Sequence, residues 1–155
     1  MANTNENVTE TVTYDHIVES VRAYVATCPY LAQFKRLLVD NLQDKTGSYS
    51  IDTVPVDTVL EEYIDGSTKE QYVFTIAGRL AYSDEIANNI NNSGIFEDIQ
   101  NWLDTQTKAG VLPALPSGLT ATDIEAMSSG YVLNVAGDLS SARYQIQCRL
   151  IYERG

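Results

Sequence analysis

The run Val59-Leu60-Glu61-Glu62-Tyr63-Ile64-Asp65-Gly66-Ser67-Thr68-Lys69-Glu70-Gln71-Tyr72-Val73-Phe74-Thr75-Ile76 decides the fold class. Two stretches of β-branched and aromatic residues flank Asp65-Gly66-Ser67, where aspartate and glycine accept the backbone angles of a tight reversal. The spacing predicts a hairpin with arms at residues 59–64 and 69–79, the second carrying Tyr72, Phe74 and Ile76 on one face. Upstream, Tyr49, Ile51 and Thr53 alternate with Ser50 and Asp52. This reads as a strand that Pro55 stops, because proline has no N–H to give to a ladder. Downstream, a strand is expected over residues 123–135 with a bulge near Gly130. A further strand after Gly137-Asp138 alternates Tyr144, Ile146, Cys148, Leu150 and Tyr152.

Helical spacing separates these strands. Ile17, Val18, Val21, Tyr24 and Val25 fall on one face of a helix that should end at Cys28, before Pro29. Tyr30-Leu31-Ala32-Gln33-Phe34 fits one helical turn, and at Leu37, Leu38 and Val39 periodicity does not separate strand from helix. Ser83-Asp84-Glu85 has the form of a helix start, with a hydroxyl to cap free N–H groups and carboxylates at the positive dipole end. Ile86 and Ile90 then share a face. A second start at Ser93-Gly94 precedes Ile95, Phe96, Ile99, Trp102 and Leu103, with Lys108 and Gly110 marking the end. The glycines and prolines of residues 110–118 form a loop. The sum is two or three helices and about six strands. That pattern predicts an α+β fold with helices packed on a mainly antiparallel or mixed sheet, as a single domain over residues 12–155 after a flexible polar arm at residues 1–11.

Composition narrows the function. With 155 residues, 44% of them hydrophobic and 20% charged, the chain can build an ordinary globular core. Ten Lys and Arg stand against 21 Asp and Glu, a net charge of −11, which disfavours a surface that neutralises phosphates or reads a DNA sequence. The amino-terminal residues have no apolar segment of the kind that directs export, and no apolar run approaches the ~20 residues that span a bilayer. Cys28 and Cys148 form no metal or redox motif and read as small, reduced core residues. The sequons at Asn7 and Asn91 carry no meaning without an export signal.

Catalytic machinery is hard to assemble from these residues. His16 is the single histidine, so a base-activated nucleophile lacks its usual partner. No phosphate-cradling glycine motif occurs, and Lys45-Thr46-Gly47 has the pieces in the wrong order. Asp52, Asp57, Glu61, Glu62 and Asp65 are close in sequence but lack the spacing of a calcium loop, and strand alternation sends Glu61 and Glu62 to opposite faces. Residues 80–107 carry Asp84, Glu85, Glu97, Asp98 and Asp104 with no Lys or Arg, a wholly acidic helical region. Most of the ten tyrosines, including Tyr63, Tyr72, Tyr144 and Tyr152, suit sheet packing. The expectation is a non-enzymatic protein with no catalytic, cofactor-binding or metal site.

Several segments, in order and spacing, resemble the tail terminator proteins, also called tail completion or minor capsid proteins, of tailed phages and prophages of Gram-positive bacteria. They are Cys28-Pro29, Gly47-Ser48-Tyr49-Ser50-Ile51, Tyr63-Ile64-Asp65-Gly66-Ser67 with Gln71-Tyr72-Val73-Phe74, Asn92-Ser93-Gly94-Ile95-Phe96-Glu97 running into Trp102-Leu103, and the ending Ala142-Arg143-Tyr144-Gln145-Ile146-Gln147-Cys148-Arg149-Leu150-Ile151-Tyr152. The resemblance implies an α+β virion protein, assembled in the host cytoplasm, that caps the head-proximal end of the tail tube as a homo-hexameric ring. Its partners would be the tail tube protein and the head completion or connector proteins. DNA would pass through the lumen without sequence-specific binding, and no membrane would be involved. Two other classes stay open: an acidic inhibitor or immunity-type module, and a small-ligand-binding domain.

Overall fold

The computed structural model describes residues 14–31, 36–39, 48–81, 86–128, 131–135 and 141–155. The amino-terminal arm at residues 1–11, Lys45-Thr46-Gly47, the helix start at Ser83-Asp84-Glu85, Gly130 and Gly137-Asp138 lie outside the described residues. In chain order the elements are α1 (Ile17–Val25), a 3₁₀ turn (Pro29–Leu31), β1 (Arg36–Val39), β2 (Ser48–Val54), β3 (Val59–Glu62) and β4 (Thr68–Ala81). They continue with α2 (Ile86–Ala109), β5 (Leu119–Ala126), β6 (Tyr131–Val135) and β7 (Ser141–Arg154). The fold is α+β.

Seven strand segments occupy five columns of one sheet, in the order β1-β2-β4-β7-β5. β2 and β3 share one edge of β4, with Pro55 in the interval between them. β5 and β6 share the far edge of β7. Every pairing is antiparallel except β1 with β2. The long central pair β4 and β7 runs in unbroken register from Thr68 opposite Arg154 to Ala81 opposite Ser141. About six strands were expected and seven segments are found. The single bulged strand over residues 123–135 is divided into β5 and β6, yet both pair with β7. Met127 N–H donates to the Gln147 carbonyl at 2.7 Å, and Gln147 N–H donates to Ser128 Oγ at 3.1 Å, so β7 keeps partners across the interval. The ambiguous residues 37–39 become a strand because β2 offers them a parallel edge.

The helices differ from expectation in one respect. The two starts at Ser83 and Ser93 were expected to open separate helices, whereas α2 runs continuously for 24 residues through Ser93-Gly94. A glycine inside a helix costs about 1 kcal/mol. Burial of Phe96, Ile99 and Leu103 against the sheet outweighs that cost, at roughly 1.5–3 kcal/mol per large apolar side chain. The predicted stop holds: Gly110 adopts φ +75, its N–H donates to the Thr107 carbonyl, and Val111 N–H donates to the Gln106 carbonyl.

One face of the sheet carries the core. Ile51, Phe74, Ile76, Ile124, Ile146 and Leu150 are buried there with Tyr49, Tyr144 and Tyr152, under Val21 and Val25 of α1 and Phe96, Ile99 and Leu103 of α2. Specific contacts lock the layers. Tyr24 donates to the Val111 carbonyl at 2.8 Å, and its ring lies 5.3 Å from that of Trp102. Phe96 stacks on Tyr144 at 6.0 Å. Thr107 Oγ1 donates to the Ile124 carbonyl at 2.7 Å and accepts from Ile124 N–H at 3.3 Å, tying α2 to β5. Gly78 sits between Tyr49 and Tyr144 in the register, and a Cβ there would stand 3.0 Å from the Tyr49 ring. The opposite face carries mainly polar residues, with Ser50, Val73, Thr75 and Ala77 buried among them, and is bridged by Arg143 to Asp52 at 2.6 Å and by Arg149 to Glu125. Among the described residues no helix is long and apolar enough to cross a membrane.

Candidate protein interface

The hairpin that decides the fold class also forms the most exposed feature of the described chain. Its turn is built locally. Asp65 Oδ1 accepts from Ser67 N–H at 2.9 Å and from the Ser67 hydroxyl at 2.5 Å, which holds its carboxyl below the usual range. Tyr63 N–H donates to the Ser67 carbonyl, and Gly66 takes φ +87, a conformation that glycine reaches without strain. Among the described residues β3 pairs only with β4, and every residue over 55–66 is exposed. Val56, Val59, Leu60 and Tyr63 are therefore partly open to water and Ile64 fully so, at 109% of its reference exposure.

At the root of this arm, the chain buries a charge. Glu70 is 5% exposed on the helix-covered face and accepts from Arg154 Nε at 2.7 Å and Thr68 Oγ1 at 2.8 Å, with the Tyr152 hydroxyl at 3.5 Å. The Arg154 hydrogen bond is the main reason its carboxyl lies below the ordinary range, against the opposing effect of burial. Gln71 adds two ties to the strand entry: its N–H donates to the Thr58 carbonyl at 2.8 Å and its side-chain amide to the Asp57 carbonyl at 2.9 Å. The arm is thus fixed at its base, and along its length the Tyr63 hydroxyl reaches the carboxylates of Glu61 and Glu153.

The carboxylates that cluster in sequence do not converge. Asp52 is held by Arg143 on the polar face of the sheet, while Asp57, Glu61, Glu62 and Asp65 stand exposed along the arm. Among the described residues no group of three or more His, Cys, Asp or Glu is placed to hold a metal ion. His16 caps the start of α1 through its extended backbone, without a side-chain cap bond, and is exposed. It lies on the rim of an open groove of about 630 Å³ with Asp15, Thr53, Tyr72 and Arg154. Within its lining Thr53 Oγ1 and the Tyr72 hydroxyl are 2.7 Å apart, and Arg154 pairs with Glu70 beside it. Cys28 and Cys148 are buried free thiols whose burial raises their titration above the usual value, so neither is an activated nucleophile. Burial likewise pushes the Tyr24 phenol up to about 12.

Of the acidic helical region, Asp84 and Glu85 lie outside the described residues. Glu97, Asp98 and Asp104 project from the exposed side of α2, where Asp104 pairs with Lys108 at 2.9 Å. Sequence reasoning missed the Glu70–Arg154 lock, since 84 positions separate the two residues and only the β4–β7 register joins them. It also missed the exposure of β3. The available signal was the order Val59-Leu60-Glu61-Glu62, which puts one apolar and one acidic residue on each side and so has no face suited to a core. Comparison of the chain with protein-family models and with curated proteins returns no match.

Proposed function

We propose that this chain is a structural component of a tailed-phage particle, a tail terminator that caps the head-proximal end of the tail tube as a hexameric ring. In that role it ends tube polymerisation, forms the joint to the head completion or connector proteins, and catalyses no reaction. The observation that carries the reading is the ordered set of segments resembling that family. Those segments fall on neighbouring strands of the sheet and on the helix packed over it: Tyr49 to Ile51 on β2, Tyr63 to Ser67 at the turn, Gln71 to Phe74 on β4, Ile95 to Leu103 on α2, and Arg143 to Tyr152 on β7. An arm with apolar residues held in water suits a part that is completed only by assembly.

Electrostatics constrains such a ring. Each copy carries −11, so a closed ring must set unlike charges together at its contacts or accept a repulsion that salt relieves. In this reading the acidic side of α2, with Glu97, Asp98 and Asp104, meets a basic neighbour or lines the lumen, where carboxylates let DNA slide without adhering. The β3–β4 arm is free to reach a non-identical component. The acidic arm also favours a second reading, an inhibitor that offers carboxylates to a basic enzyme site. One experiment separates the two. Purified protein is added to growing tail tubes and the ends are imaged by electron microscopy. The terminator reading expects tubes of limited length with a six-subunit ring at one end; tubes that elongate unchanged, with bare ends, reject it.

A further inference from the structure

We draw no further inference here: the strongest candidate, the exposed apolar surface patch of Val59, Leu60 and Ile64 on the β3–β4 hairpin, carries none, because nothing in the structure shows what covers it.

Discussion

Replacing Arg154 by alanine tests whether the root of the arm is held by one ion pair. The guanidinium side chain is 53% exposed, whereas the Glu70 side chain it serves is only 7% exposed, so the substitution removes a half-solvated cation and strands a buried anion. Deleting one partner of a buried pair costs about 3–5 kcal/mol. Here the Thr68 and Tyr152 hydroxyls still face the carboxylate and Arg154 was half solvated, which reduces the expected loss to roughly 2–3 kcal/mol. At about 2–4 °C per kcal/mol for a chain of this size, Tm should fall by about 5–10 °C. The pH dependence sharpens the test. In the parent protein Glu70 titrates below its unfolded value, chiefly through Arg154, so its stabilisation is present above the usual carboxylate range and fades as pH falls through the lowered folded value. Without Arg154, only the Thr68 and Tyr152 hydroxyls oppose the effect of burial, so the downward shift shrinks. The variant then has less ionisation-linked stability to lose as the carboxyl takes up a proton. Urea unfolding should show the gap between the two proteins widest near pH 7 and narrowing toward about pH 4. A gap below about 0.5 kcal/mol at neutral pH, as fraying of the last residues of β7 would produce, refutes the reasoning. A gap of constant size across that range does so too.

Three further outcomes are expected. Gly78→Ala places a methyl 3.0 Å from the Tyr49 ring and should cost about 1–2 kcal/mol in chemical denaturation, with Gly78→Val costing more. Thr107→Val keeps the shape of the side chain but leaves the Ile124 carbonyl and N–H without their shared partner, and should lower stability by about 1–3 kcal/mol in calorimetry. Ile64→Ser should leave unfolding within about 0.5 kcal/mol of the parent, because the side chain touches nothing in the folded chain. A larger change would mean that the arm packs against the body.

Much of the fold was legible because it is encoded at short range. The reversal at Asp65-Gly66-Ser67, the alternation through Tyr72, Phe74 and Ile76, the repeat of Tyr144, Ile146, Cys148, Leu150 and Tyr152, and the helix stop at Gly110 each rest on neighbours a few residues apart. These determined the α+β class and nearly every strand. The tertiary structure decided what depends on distant partners: that residues 36–39 take the parallel edge of β2, that α2 runs through Gly94 because its later turns are buried, and that Glu70 meets Arg154. It also decided which apolar residues are left in water. Val59, Leu60 and Ile64 look like core residues by type, and only the folded chain shows that they stay exposed. Burial is a property of the whole packed layer, whereas a turn is a property of four adjacent residues, and the division between what could be read and what could not follows that difference in range.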